Sequence, residues 1–275
     1  MRSIRPRAKE ISRRKLEAVE NVSVKINTAP VGSRWRSFAF CITFDGTAAS
    51  GKSAICRNVA LFFEALHINS GLMFRCVASR LIHERTPLDD NDSVLHRARV
   101  IARETDFVFR QQDDGRTRLF INNEVLVENT IGDETVANIA SIIAEDPLVR
   151  EPIRLIQIRH IKGNKRVVLE GRDAGTRVAP DAFMKFYIDC QLDIRTNRRL
   201  SKEEFLGESE VTFDGVKLVL KRRDDRDMNR KFDPLVQTDS MHYIDNSMET
   251  AKQSSNRVKK MIQEKLLEKR FVLNL

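Results

Sequence analysis

The segment Gly46-Thr47-Ala48-Ala49-Ser50-Gly51-Lys52-Ser53 constrains this chain more than any other. It fits the P-loop pattern G-x-x-x-x-G-K-[ST] at every fixed position. Before it, Phe38 to Phe44 is a short apolar run that reads as a buried strand. After it, Ala54 to Leu66 carries Ile55, Val59, Phe62, Phe63 and Leu66 at helical spacing. A strand, a glycine loop and a helix in that order turn backbone N–H groups toward a phosphate at the helix N-terminus. Gly46 and Gly51 allow backbone angles that other residues resist. All eight loop residues are therefore candidates for holding ATP. Lys52, read as lying in an exposed loop, reaches the β- and γ-phosphates, and the Ser53 hydroxyl binds the Mg²⁺ that accompanies ATP.

The chain has 275 residues, enough for one large α/β domain or two small ones. No apolar run approaches the roughly 20 residues of a membrane span, and the charged start excludes a secretory signal peptide. Cys41, Cys56, Cys76 and Cys190 are scattered beside apolar segments and read as buried free thiols of a reducing compartment, so a cytoplasmic setting is expected. The five histidines show no ligand spacing, and no zinc site is expected. Residues 1–40 hold ten Lys and Arg against three acids, which is seven of the nine net positive charges. Residues 1–36 thus form a basic extension, toward whose end Ala29-Pro30-Val31-Gly32-Ser33 reads as a breaker and linker. It reads as a solvated arm, as a weak nucleic-acid or anionic-surface arm, or as a presequence, against which Glu10, Glu17 and Glu20 argue.

Along the rest of the chain, residues 67–71 read as a short break and Leu72 to His83 as a second helix. Asp92 is expected to cap a third helix over Ser93–Arg103. Between 106 and 127, short β-rich runs are separated by Asp113-Asp114-Gly115 and Asn122-Asn123, which predicts an antiparallel meander. Helices are expected over Glu134–Ala144, Pro147–Lys162, Asp193–Lys202 and Gly215–Met228, with 203–214 acidic and irregular. Strands are expected at Arg166–Leu169, Phe183–Ile188 and Tyr243–Asp245, and a long helix over Glu249–Arg270. Alternating strands and helices around a P-loop imply an α/β fold with a parallel sheet covered on both faces. Ligands then sit beyond the C-terminal strand ends.

Arginines in turn-like contexts suggest the second substrate: Arg75, Arg150, Arg172, and the run Arg222 to Arg230. Guanidinium forks suit phosphate oxygens. Arg223, Asp227 and Arg230 fall at i, i+4 and i+7, one helix face. No general base stands out. A phosphate monoester acceptor needs none, because its second pKa near 6 leaves it ionised at neutral pH. The pattern therefore points to a nucleoside-monophosphate kinase.

Five blocks then give a specific likeness. They are Asp45 to Ser53; Ser70-Gly71-Leu72-Met73-Phe74-Arg75; Val136 to Ser141 with Pro147 to Arg150; Glu170-Gly171-Arg172-Asp173-Ala174-Gly175-Thr176 with Pro180-Asp181-Ala182; and Arg223 to Asp227 with Arg230. In order and spacing, the chain resembles bacterial-type cytidylate kinases over roughly residues 40–262. The resemblance implies a kinase domain over 37–275, with a monophosphate-binding insert at about 104–135 and a lid at about 203–230. It implies transfer of the ATP γ-phosphoryl group to CMP or dCMP by a monomer. Ser141, Arg150 and Asp173 would read cytosine; Ser70, Arg75, Arg172 and Arg230 would hold the acceptor phosphate; Arg223 and Asp227 would meet the sugar. Lys52, Arg172 and Arg230 would be catalytic. Asp173 alternatively pairs with Arg172 or caps the following turn. Asn69, Phe74 and Gly132 depart from the family pattern, where Asp, Tyr and Arg are usual. These departures keep open a kinase with another acceptor, such as UMP. The basic arm keeps open a nucleotide-binding regulatory or RNA-binding protein.

Overall fold

The computed structural model describes residues 37–126, 131, 133–205 and 212–273. The basic arm, Gly132 and parts of the insert and lid lie outside the described residues. Five parallel strands carry the fold: β1 (Phe40–Gly46), β2 (Leu66–Asn69), β6 (Arg166–Glu170), β7 (Met184–Asp189) and β8 (His242–Asp245), in the order β2-β6-β1-β7-β8. The central strand β1 is buried nearly throughout, and its Phe44 ring stacks on Phe186 of β7 at 5.0 Å. A separate antiparallel sheet holds β3 (Phe107–Gln111), β4 (Thr117–Ile121) and β5 (Glu124–Val125), as the short β-rich runs and turn signals predict. Asn122 and Asn123 both take positive φ at its second turn.

Helices cover both faces of the parallel sheet. α1 (Lys52–Phe63) and α8 (Ala251–Leu273) close one apolar core with Ile42, Phe44, Val59, Phe186 and Ile262. α2 (Ser70–His83), α3 (Asn91–Glu104), α4 (Glu134–Ile143) and α5 (Pro147–Gly163) close the other around Ile68, Val77, Ile101, Ile143 and Leu169. α6 (Leu192–Phe205) and α7 (Phe213–Asn229) pack on each other beside the P-loop. Among the described residues no helix is long and apolar enough to cross a membrane. The four cysteines are free thiols, Cys41 half-buried and the rest buried.

Three local expectations are corrected. The stretch read as a break at 67–71 is edge strand β2 followed directly by α2; Leu66 and Ile68 are buried and alternate with His67 and Asn69, but four residues are too few to set a strand apart. α1 stops at Phe63, because Glu64 adopts the left-handed conformation and donates its N–H back to Leu61. Asp90, rather than Asp92, caps α3, accepting the Asp92 N–H at 3.1 Å.

Gly46 fixes how closely the P-loop can follow the sheet. Its φ is +146°, and a Cβ there would lie 1.9 Å from the Ile188 carbonyl oxygen of the paired strand β7. Gly46→Ala is therefore expected to cost more than about 2 kcal/mol of stability. Chemical denaturation checks this; an unchanged midpoint would contradict the close β1–β7 approach.

Candidate active site

Beyond the C-terminal ends of β1, β2 and β6 lies a cleft of about 220 Å³. The P-loop enters it with no acid in the first turn of α1 and with Gly51 at φ +87°, an N-terminus built to face an anion. The loop is braced from several sides. Thr47 Oγ1 donates to Asp189 at 2.9 Å, Ala48 N–H to Asp224 at 2.8 Å, and Asn246 Nδ2 to the Ser50 carbonyl at 2.6 Å. Arg195 bonds both Asp224 and the Ala48 carbonyl, which ties α6, α7 and the loop together.

The predicted residues mostly converge. Ala48, Ala49, Lys52, Ser53, Ser70, Arg75, Ser141, Arg150, Arg172, Asp173, Arg223, Asp227 and Arg230 all line this one cleft. Gly46, Thr47, Ser50 and Gly51 do not line it and shape the loop from behind. One reading changes: Lys52 is the first residue of α1 and is 7% exposed, not part of an exposed loop. Burial and the nearby Arg172 push its pKa down to about 8.

Charge is what distinguishes the cleft. Its lining holds Lys52, Arg75, Arg150, Arg172, Arg199, Arg223 and Arg230 against Glu134, Glu170, Asp173 and Asp227, an excess of three positive charges. Burial and mutual repulsion push Arg75 and Arg230 down to about 10, and act the same way on Arg223. Among the described residues the buried Arg223 Nε has no hydrogen-bond partner. Cations crowded against one another at this cost are relieved by a polyanion.

Opposite the P-loop, the side chains interlock. Arg172 Nε donates to Asp227 at 2.8 Å, and Ser141 Oγ to the other Asp227 oxygen at 3.3 Å. Asp173 is the N-cap of the π-helical turn Ala174–Val178, but only its backbone carbonyl caps the turn, accepting the Arg177 and Val178 N–H groups. Among the described residues its side chain makes no cap bond, and Arg172 pairs with Asp227 instead. The Asp173 carboxylate accepts Arg150 Nη2 at 2.5 Å, and its second oxygen stands 3.7 Å from Arg230 Nη2. Arg230 lies just past the end of α7, with its Nε donating to the Asp233 carbonyl at 2.8 Å. The Phe74 ring lies 5.6 Å from the Arg150 guanidinium carbon, a cation–π contact that needs no hydroxyl.

The Cytidylate kinase family model matches residues 42–264, which span all of these groups. The chain belongs to the cytidylate kinase family. A cytidylate kinase of Bartonella bacilliformis is 33% identical over 76% of this chain and 87% of its own length. Those of Marinomonas sp. and Brucella ovis are 32% and 31% identical, over 77% and 84% of this chain and 90% and 96% of their own lengths.

Three residues of this cytidylate kinase family member were given no role in the sequence reading, although Asp45 and Glu170 stand in its matching blocks. Asp45 is fully buried and accepts the N–H groups of Ala174 and Gly175, each at 2.7 Å; it thereby fixes the loop that carries Arg172 and Asp173. Burial raises its pKa to about 6. Glu170 accepts Ser53 Oγ at 2.7 Å and lies 2.9 Å from His67 Nε2. Burial acts to raise its pKa, but the His67 and Ser53 hydrogen bonds and the Lys52 charge hold it below the usual range. Asp233, with φ +50°, accepts Arg150 Nε at 2.9 Å and pairs with Arg177 at 3.3 Å. Its signal in sequence was slight: an acid before Pro234, downstream of the arginine run.

Proposed function

We propose that the chain transfers the γ-phosphoryl group of ATP to CMP or dCMP, giving ADP and CDP or dCDP. The cation-rich cleft is the observation that carries this reading, because it joins a P-loop to a second, interlocked set of polar groups. In this reading the P-loop and Lys52 hold the β- and γ-phosphates, while Ser70, Arg75, Arg172 and Arg230 hold the acceptor phosphate. The acceptor's ionised oxygen attacks the γ-phosphorus and the β–γ bridging oxygen leaves with ADP. No side chain has to remove a proton, because the dianion is the nucleophile. Lys52, Arg172 and Arg230 gain most as charge spreads over the transferring group.

Mg²⁺ belongs to this reading as the partner of ATP. The oxygens of Ser53 and Glu170, side by side in the cleft, suit a hard cation. The ion would neutralise phosphate charge during transfer. Cytosine would be read by Ser141, Arg150 and Asp173, and the sugar would be met by Arg223 and Asp227. A monomer acting in the cytoplasm, with residues 1–36 outside the kinase domain of 37–275, completes the proposal. A changed acceptor is not favoured: Phe74 supports Arg150 as it stands, and the base-reading trio is intact. Incubation with ATP, Mg²⁺ and CMP should yield CDP by chromatography; no CDP from folded protein would overturn the reading.

Asp233 refines the acceptor side. Its carboxylate fixes Arg150 Nε while Asp173 takes Nη2, so two acids aim one guanidinium. Asp233→Ala is expected to raise the KM for CMP about tenfold, equivalent to about 1.4 kcal/mol, with kcat little changed. A lower melting temperature with both constants unchanged would instead make Asp233 a stabilising residue only.

A further inference from the structure

Behind the P-loop helix, three side chains from distant parts of the chain meet. Cys56 of α1, His67 of β2 and Glu170 of β6 place Sγ, a ring nitrogen and a carboxylate oxygen within 4.8 Å of one another. Their sequence positions give no ligand spacing, because α1, β2 and β6 come together only in the folded sheet. Cys56 is fully buried, and the His67 and Glu170 side chains are 11% and 3% exposed. We propose that Cys56 Sγ, His67 Nε2 and Glu170 Oε1 form a binding site for a transition-metal dication of the Zn²⁺ type. Its occupancy inhibits the enzyme by drawing Glu170 away from Ser53.

Geometry and charge both support the site. Two ligands of one tetrahedral zinc, with bonds of ~2 Å, lie roughly 3.3 Å apart. His67 Nε2 and Glu170 Oε1 are 2.9 Å apart, so they need to part by only a few tenths of an ångström. Tetrahedral S···N and S···O separations are roughly 3.5 Å for a Zn–S bond of ~2.3 Å, so Cys56 closes in by about 1.3 Å at most. On binding, Cys56 releases its proton to solvent, and thiolate plus carboxylate supply the two negative charges that balance a dication. Without an ion, burial and then Glu170 hold the Cys56 thiol protonated, with Lys52, Asp45 and Arg57 acting after them; the dication's own charge is what draws the proton off. A sulfur–nitrogen–oxygen donor set favours Zn²⁺ over Mg²⁺, which prefers oxygen alone. Glu170 also lines the catalytic cleft, which gives an ion a route inward.

The inhibition rests on the kinase reading above; the metal site does not. Glu170 holds Ser53 through its other oxygen. A cation held on Oε1 reorients that carboxylate and adds positive charge beside Lys52.

The test uses full-length protein freed of metal with a chelator and titrated with Co²⁺, a spectroscopic stand-in for Zn²⁺. A thiolate-to-cobalt charge-transfer band is expected in the wild type and absent in Cys56→Ser. His67→Gln should retain the band with affinity reduced about tenfold or more. No band in the wild type, or one that persists in Cys56→Ser, overturns the site. In a second arm, Zn²⁺ is added to the ADP-release assay at fixed excess Mg²⁺. Inhibition of the wild type that weakens at least about tenfold in Cys56→Ser supports the inhibitory role. Equal sensitivity of the two proteins overturns that role, while the cobalt result still decides the site.

Discussion

Lys52→Ala is expected to lower kcat with CMP by roughly 100- to 1,000-fold, the scale on which loss of one preorganised donor to a transition state is felt. The lysine is buried at the mouth of α1 with its pKa pushed down to about 8, first by burial and then by Arg172. Holding an ammonium group there is costly in the free protein and is repaid when phosphate charge arrives. Removing it relieves a repulsion with Arg172, so the variant should stay folded with a melting temperature near that of the wild type. Steady-state kinetics beside a thermal melt separates the two effects. A folded variant that keeps a rate within a few-fold of wild type would remove Lys52 from the transfer step.

Asp173→Ala is expected to cost on the order of 2–3 kcal/mol in kcat/KM for CMP and less for UMP. Asp173 sits on the loop that Asp45 pins after β6, and its two oxygens face Arg150 and Arg230. Cytosine presents an amino group and a ring nitrogen where uracil presents a carbonyl and an N–H. A carboxylate complements the amino donor and opposes the carbonyl, so its loss should narrow the preference. Arg150 would still be held by Asp233 and the Ala144 carbonyl, which argues that the variant folds. The CMP-to-UMP ratio of kcat/KM under saturating ATP is the readout. An equal loss for both acceptors would make Asp173 an arginine counterion and nothing more.

Much of the architecture was legible because its signals are local. The P-loop announces its strand and helix, and the runs around Phe107 and Leu119 announce a meander through their turn residues. Strand β2 was not legible: its four residues alternate, but so short a stretch running straight into a helix is not distinctive. The arginines were visible as residues suited to phosphate, but their partners were not. Arg172 was adjacent to Asp173 in sequence, yet it pairs with Asp227, 55 residues away. The roles of Asp45, Glu170 and Asp233 arise from sheet order and loop return, which bring separate segments together. For the same reason the Cys56–His67–Glu170 cluster left no trace in spacing.

The most direct test of the account is one coupled assay of ADP release from ATP, run with CMP, dCMP, UMP and AMP as acceptors under identical Mg²⁺. The account predicts that CMP and dCMP are phosphorylated with kcat/KM well above that for UMP, and that AMP is hardly used. Turnover of UMP or AMP equal to that of CMP, by folded protein with an intact P-loop, would contradict it.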